Sequence, residues 1–571
     1  MLPSNVVIIG GGPAGSVAAL TLLKLGHQVT LYEKETFPRY RIGESFLPGT
    51  MSIFNRLGLQ ALIDEAQFVK KPSATFLWGQ NQPPWTFSFS TPKSTAEWVF
   101  DHAIQVKREV FDHLLLKEVI ARGGKVHEGA SVTHVDLSDP ETVTLEVRQG
   151  DSSSKVSGDY LIDASGANSI LARQLKIRRY DEFYRNLAVW SYFSCPDPFQ
   201  GDLRGTTFSI TFEDGWVWMI PLEGDIYSVG VIVDVSKVAE IKELGTEAFY
   251  QRTLAKCIRA KELLGDAEQI DGVRVVRDWS YDTSTFSGGR FFLCGDAACF
   301  TDPLFSQGVH LASQSAVCAA SAIDYLSQHP DEQAKIHEWY KSTYGETYEQ
   351  YHEFLASFYT YASFTEPDSE FWNKRRIVES EDDRFNRRQW FDQLSDKADQ
   401  GHEWAISDFK DRASTMIALG RHKRNELSDA FSDAELTPMR VGWIGKLLKQ
   451  LSSISEFSWN GGAVTLQDYY KVNPMDFKLE PKAILSNGEK RMTKYAASPK
   501  VRDIFADLLK EKFDYKTLIN RLNAVGYSEH ALQMVIRLFE AGLLSGKNAM
   551  GEKVHIQDRL RFDGVGIEYE V

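Results

Sequence analysis

Cysteine is scarce in this sequence. Its five residues, Cys195, Cys257, Cys294, Cys299 and Cys318, are odd in number and lack CxxC spacing, which argues against a disulfide framework or a thiolate zinc site and points to a reducing, cytoplasmic setting. Long apolar runs are missing as well: nothing approaches the roughly 18 consecutive apolar residues of a membrane helix. An apolar strand beginning at about Val6 leaves no room for a secretory leader, so none is expected. Basic charge is in short supply. Lys and Arg total 64 against 78 Asp and Glu, a net charge of −14, so no global positive field attracts nucleic acid or an anionic membrane, and neither is an expected partner. Internal repeats and low-complexity segments are also missing. What remains is ordinary globular composition in 571 residues, a length that suggests about three or four domains and a small molecule or another protein as partner.

Residues 5–33 read as strand, glycine turn, helix and strand. Val6-Val7-Ile8-Ile9 leads into Gly10-Gly11-Gly12-Pro13-Ala14-Gly15, an apolar helix runs to Leu25, Gly26 stops it, and a second strand ends at Glu33. The glycines of Gly10-x-Gly12-x-x-Gly15 permit a tight turn and let backbone N–H groups and the helix N-terminus approach a pyrophosphate. Glu33, 23 residues after Gly10, is placed to accept from ribose hydroxyls. A dinucleotide-binding βαβ unit is therefore expected.

Period-two patterning around 75–100 and from Thr206 to Asp234, with turns at Glu213-Asp214-Gly215 and Glu223-Gly224-Asp225, predicts an antiparallel sheet inserted into this α/β unit. Phe291–Cys294 reads as another buried strand, running into Gly295-Asp296-Ala297-Ala298, and a small-residue helix follows from about Gly308 to Leu326. Next come an aromatic-rich helix (Tyr340, Tyr344, Tyr348, Tyr351, Phe354, Phe358) and a charged stretch, Asn373 to Arg388. The boundary of a C-terminal region is placed near 360. Its last part, about 496–560, reads as three short helices and a hairpin, resembling a winged helix. Basic residues barely exceed acidic ones there, which favours packing or protein docking over phosphate contacts.

Gly295-Asp296-Ala297-Ala298 with Pro303 resembles the second flavin motif of the p-hydroxybenzoate hydroxylase-like superfamily. Arg39–Gly43, Gln105–Arg108 and Asp163–Gly166 with Arg173 resemble its other shared elements. The likeness covers about the first 350 residues and implies FAD rather than NAD. Gly10, Gly12, Pro13, Ala14, Gly15, Glu33, Arg41, Ser45, Arg108, Gly295, Asp296, Pro303 and Gly308 become cofactor-binding candidates, with Asp296 holding the ribitol chain. For Arg39, Lys107 and Arg173 a solvated surface charge is an equal reading. The implied architecture is a Rossmann-like FAD-binding part (about 1–75, 101–180 and 285–345) and a β-sheet substrate part (about 76–100 and 181–284). A mainly α-helical region, 361–571, follows.

Fold alone does not choose among the chemistries of this superfamily. Gly215-Trp216-Val217-Trp218-Met219-Ile220-Pro221 matches the WxWxIP signature of flavin-dependent halogenases. On a strand Trp216 and Trp218 point the same way, so two indoles form one wall; a pair of core tryptophans is the alternative. In that family the wall stands beside the flavin and keeps substrate away from it. The resemblance also implies a lysine that receives hypochlorous acid, matched by Lys71 in Val69-Lys70-Lys71-Pro72, with Lys70 as competitor. Its ammonium can donate a hydrogen bond to hypochlorous acid, or its neutral amine can form a chloramine, the form that burial would favour. Chloride is expected on the loop Ser306-Gln307-Gly308, whose amides lie at a helix start.

Glu44 is a candidate base for enolising a substrate carbon, and Tyr351 a candidate for the substrate cavity; an exposed loop acid and core packing are their alternatives. Asp278 is a candidate for an ester tether to the flavin, a surface or capping role being the other reading. Lys71–Gly79, Tyr180–Arg185, Phe291–Ser315 and Phe354–Glu370 resemble in particular the branch of the halogenases, in antibiotic biosynthesis, thought to chlorinate an aliphatic acyl group on a carrier protein. That resemblance implies reduced FAD from a separate flavin reductase, O2 and chloride as co-substrates, and an acyl or peptidyl carrier protein as partner, docked on the C-terminal region. Two rivals remain: a single-component NADPH-dependent hydroxylase of the same fold, and a flavin-binding interaction protein without catalysis.

Overall fold

Strand Asn5–Ile9 is buried along nearly its whole length, as a parallel strand covered on both faces must be. It lies inside a six-stranded sheet of order Ser287–Gly288, Phe291–Leu293, Tyr160–Asp163, Asn5–Ile9, Gln28–Tyr32, Lys125–His127. All pairs are parallel except the first. In this computed structural model the described residues are 3–376 other than 80–81, 90–99 and 198–200, together with 449–569 other than 461–463, 487–494, 498, 555–559, 563–566 and, apart from Val535 and Leu538, 527–542. Helix Pro13–Leu25 ends as expected at Gly26, whose left-handed φ of 91° lets its N–H reach back to the carbonyls of Leu22 and Leu23. The small-residue helix spans Gly308–Leu326 and packs against helix Pro13–Leu25.

The inserted sheet has eight strands. Thr207–Phe212, Gly215–Leu222 and Ile226–Asp234 form the expected meander, and the 17-residue strand Arg178–Ser194 pairs with both Ile226–Asp234 and Arg274–Thr283. One pairing departs from the antiparallel expectation: Ser73–Leu77 lies parallel to Thr207–Phe212. These strands are joined by a long crossover through the FAD-binding part rather than by a hairpin, and a long connection permits parallel pairing.

The chain separates into two compact units, Met1–His402 with Val472–Leu479, and Glu403–Lys471 with Glu480–Val571. Residue 360, where the sequence suggested a boundary, lies inside the 33-residue helix Gln333–Thr365. Beyond it Phe371 and Trp372 are buried in the same core as Trp216, so the first unit carries on past that point. From 377 onward the charged stretch ending at Arg388 lies outside the described residues.

In the second unit, helices Pro499–Leu508 and Tyr515–Ala524 and strands Leu544–Asn548 and Lys553–Val554 account for two of the expected helices and the hairpin. The segment expected to hold the third helix is outside the described residues. The hairpin is completed by strand Ile454–Trp459, from outside 496–560, so this segment shares its sheet with an earlier stretch of chain. Among the described residues no helix is long and apolar enough to cross a membrane, and all five cysteines are free and buried.

Candidate active site

A cavity of about 620 Å³ opens at the carboxyl ends of the parallel strands and extends to the inner face of the inserted sheet. Gly10, Gly12, Pro13, Ala14 and Glu33 line one end. Gly10 takes φ of 102°, and a Cβ there would stand 2.3 Å from the Ala164 carbonyl oxygen; one on Gly15 would stand 1.9 Å from the Gly10 carbonyl oxygen. Gly15 therefore serves the close packing of helix on strand and does not itself line the cavity. The carboxylate of Glu33 is held in place by the N–H of Gly11 at 2.7 Å and of Glu35 at 2.9 Å, with its remaining lone pairs free for ribose hydroxyls.

The middle of the cavity is lined by Arg39, Arg41, Ser45, Arg108 and Asp296. Arg39 and Arg108 share the buried carboxylate of Asp112 at 2.9 and 2.7 Å, which fixes both guanidinium groups at the wall. Asp296 is half-buried, and desolvation pushes its carboxyl up to about 6 against the opposing charges of Arg108 and Arg178. Arg173 is exposed, and neither it nor Lys107 lines the cavity. Gly295 is likewise outside the lining; with φ of 58° it lets the chain turn between Ala14 and Ala312. The glycine cradle, the ribose-ready acid and the paired arginines fit an elongated dinucleotide such as FAD.

At the far end stand Trp216 and Trp218, both buried, on strand Gly215–Leu222, with ring centroids 6.3 Å apart. Trp218 is flanked across the sheet by Ser209 and Gly230. A Cβ at Gly230 would lie 2.1 Å from the indole, so glycine is what makes room for the second ring. Trp190 extends the wall, 6.4 Å from Trp218. The Trp216 indole N–H donates to the Tyr359 hydroxyl at 2.7 Å, and Tyr359 donates to Asp302 Oδ2 at 2.6 Å. Desolvation raises the Asp302 carboxyl to about 6 despite these bonds.

Asp302 also organises the loop beyond Pro303. Its Oδ1 accepts from the Leu304 N–H, and its carbonyl accepts from Gln307 Nε2 at 2.6 Å. Two features of this loop bear on the expected halide set. The Gln307 side chain is turned into the core and does not line the cavity, and the Ser306 amide already donates to Pro303 at 3.0 Å. Ser306 instead presents its hydroxyl, from a left-handed φ of 60°. Gly308 and Val309 line the cavity at the start of helix Gly308–Leu326, where N–H groups have no intrahelical acceptor.

Lys71 lies directly behind Ser306. Its Nζ donates to Ser306 Oγ at 3.3 Å and to the Phe46 carbonyl at 3.1 Å, 5.5 Å from the centre of the Phe89 ring. It is 1% exposed, and desolvation lowers it to about 7, with no carboxylate among the described residues offsetting the shift. Lys70, its neighbour on strand Val69–Lys71, faces solvent. Lys71 reaches the cavity through Ser306 and does not line it directly.

Glu44 is buried in the cavity wall near Trp218 rather than exposed on a loop. Tyr192 donates to its Oε1 at 2.7 Å, while Oε2 makes no hydrogen bond; Ser228, engaged by the Trp218 indole at 3.2 Å, stands beside it. Burial outweighs the Ser228, Tyr192 and Arg108 interactions and pushes this carboxyl up to about 7. Tyr351 is buried on helix Gln333–Thr365 and does not line the cavity; Tyr359, two turns further along, is the tyrosine of that helix that reaches the wall. Asp278 sits on strand Arg274–Thr283 opposite Asn186. Its side chain is outside the described residues, although its neighbours Val276 and Arg277 line the cavity.

The sequence pattern of the tryptophan halogenase family matches residues 5–104 and 90–431. This chain belongs to that family. It is an FAD-dependent halogenase, and halogenases of this family use chloride and O2 as co-substrates with reduced FAD from a separate reductase. Residues 443–559 match a second pattern, the C-terminal domain of the chloramphenicol halogenase CmlS. The tryptophan 2-halogenase of Chondromyces crocatus is 31% identical over 395 residues, 68% of this chain and 74% of its own. Among solved structures, the flavin-dependent halogenase CmlS shares 62% identity, with 99% of this chain and 100% of that one covered and a TM-score of 0.78. The myxobacterial chondrochloren halogenase CndH shares 33% over 69% of this chain and 91% of its own, with a TM-score of 0.61.

One cavity thus brings together the glycine turn, Glu33, Trp216, Trp218, Ser306 and Glu44, with Lys71 bonded to Ser306 at its edge. Sequence reasoning missed Tyr359, Tyr192 and Gly230. The one available signal was Gly230 in an otherwise bulky strand, Ile226–Asp234, where glycine weakens a strand unless something must approach closely.

Proposed function

We propose that this halogenase is a chlorinase acting on an acyl or aminoacyl group that a carrier protein holds as a thioester. The observation that carries the halogenating chemistry is Lys71 Nζ, buried and 3.3 Å from Ser306 Oγ at the cavity edge. FAD bound along the glycine turn and the arginine-lined wall supplies the oxidising chemistry with O2. The first-turn amides of helix Gly308–Leu326 favour an anion there, because they carry the positive end of the helix dipole. Trp216, Trp218 and Trp190 exclude substrate and water from the flavin side. Lys71 holds hypochlorous acid or its chloramine equivalent; its depressed basicity leaves a substantial neutral fraction near pH 7. Glu44 takes the proton from a substrate carbon activated by an adjacent carbonyl, a role suited to a carboxyl whose working pKa is near neutrality. The carrier-bound substrate class is supported by 62% identity to CmlS over the full chain and by the match of residues 443–559 to its C-terminal domain.

The test is oxidation of reduced FAD by O2 with and without chloride, using monochlorodimedone as a trap and comparing wild type with Lys71→Ala. Chloride-dependent chlorination of the carbon substrate, as distinct from the trap, is expected in wild type and lost in the variant. Chlorination that survives in Lys71→Ala would overturn the role of Lys71, and an oxygenated product independent of chloride would overturn the chlorinase reading. Chlorination of an aminoacyl-carrier thioester but not of the free acid is expected for the substrate class.

A further inference from the structure

Glu44 does not end its hydrogen bonding at Tyr192. The Tyr192 hydroxyl is 2.8 Å from that of Tyr40, and Tyr40 accepts from Trp190 Nε1 at 2.6 Å. The donor inventory sets the direction of this chain. An indole nitrogen only donates, so the Tyr40 oxygen must accept from Trp190, and with Glu44 ionised the hydroxyl protons run Tyr40 to Tyr192 to Glu44. Glu44 is 2% exposed, whereas Tyr192 and Tyr40 are both half-buried. Beyond them Arg274 lies over the Tyr40 ring at 4.5 Å and the Tyr192 ring at 5.7 Å, and is paired with Asp271. The three atoms Glu44 Oε1, Tyr192 Oη and Tyr40 Oη therefore form a continuous hydrogen-bonded chain that runs from the buried carboxyl to two half-buried tyrosines beside Arg274.

We propose that Tyr192 and Tyr40 are a proton outlet for Glu44, carrying to solvent the proton that the carboxylate takes from the substrate carbon. This rests on the reading of Glu44 as the base. The C–H proton passes to Glu44, the electron pair left on carbon forms the C–Cl bond with the chlorine of hypochlorous acid, and the departing hydroxide takes a proton from the Lys71 ammonium to become water, Lys71 regaining a proton from solvent as Glu44 gives one up. Glu44 then holds one proton that must leave before the next turnover. It moves outward when Glu44 donates to Tyr192, Tyr192 to Tyr40 and Tyr40 to water, after which the hydroxyls rotate back. Burial and the neighbouring Glu44 hold the Tyr192 hydroxyl well above its usual range, so the phenol conducts by a concerted hop without ionising. Arg274 at the surface end disfavours an excess proton resting on the phenols, which speeds its release to water. Tyr192 and Tyr40 are positioning and relay groups; neither is required to touch the substrate.

The experiment follows the Glu44 carboxyl stretch by infrared difference spectroscopy in the FAD-loaded full chain below pH 7, with D2O as the probe. Glu44→Gln identifies the band by removing it. In wild type the band shifts to its deuterated position in a fast phase; Tyr192→Phe is expected to lose that phase, and Tyr40→Phe, in a different segment of the chain, to lose it too. Native flavin absorbance in each variant establishes that the site is intact. Fast deuteration persisting in both tyrosine variants would overturn the outlet. If instead Glu44→Gln retains chlorination of the carbon substrate while deuteration still needs Tyr192, the outlet stands and the assignment of Glu44 as base falls.

Discussion

The Trp216 indole N–H and the Tyr359 hydroxyl, 143 positions apart in the chain, are joined by a 2.7 Å hydrogen bond. Because the Tyr359 hydroxyl in turn donates a hydrogen bond to Asp302, which also caps the turn before Ser306, one buried carboxylate fixes both the tryptophan wall and the loop beside it. Tyr359→Phe leaves a buried indole N–H and an acid one bond short, at a cost of about 1–3 kcal/mol. The expected result is a lower Tm and a larger share of oxidised halide captured by monochlorodimedone relative to chlorinated substrate. Unchanged partitioning would mean that the wall keeps its position without Tyr359.

The glycine opposite Trp218 supplies a second prediction. Gly230→Ala places a methyl group 2.1 Å from the indole, so the ring must shift toward the cavity. Destabilisation of about 1–3 kcal/mol is expected from overpacking, measured by denaturant unfolding, together with reduced halogenation.

Burial of Lys71 sets function against stability. With the folded pKa lowered from 10.5 to about 7, the unfolded chain binds more protons than the folded one between these values. The penalty is therefore complete below pH 7 and vanishes as pH rises past 10.5. Lys71→Met removes it, and up to about 4 kcal/mol of added stability at pH 7 is expected by linkage, less the loss of the bonds to Phe46 and Ser306. Thermal melts at pH 7 and pH 10 check the sign: the variant's advantage shrinks at the higher pH, while halogenation is lost at both.

The pH profile of turnover reports on Glu44. Its carboxylate form increases as pH rises through about 7, so kcat for a carbon-acid substrate climbs over that range. Glu44→Gln is expected to flatten this limb and to lower kcat by about a hundredfold or more. A limb that persists in the variant belongs to another group.

Much of the fold was legible because it is written in local periodicity. The glycine turn after Val6–Ile9, the stop at Gly26, the helix Gly308–Leu326 and the two turns of the tryptophan meander each depend on a few adjacent residues and their backbone preferences. Tyr351 was not legible: on a helix carrying an aromatic nearly every turn, which hydroxyl meets a neighbouring wall depends on how that helix is rotated against the sheet, and it is Tyr359 that bonds Trp216. The halide loop was half legible. A helix start after Pro303 is a local signal, but the prior engagement of the Ser306 amide and the inward turn of Gln307 come from packing.

By itself the sequence determined the dinucleotide turn and the paired direction of Trp216 and Trp218, because side chains alternate along a strand, and left Lys70 and Lys71 as rivals. Only the tertiary structure decided which of those lysines points inward. It also placed Ser306, 235 positions from Lys71, at 3.3 Å, and brought Glu44 and Lys71 both to about 7 from opposite directions. The physical reason is that desolvation depends on everything packed around a charge, and that surrounding is assembled from segments far apart in the chain.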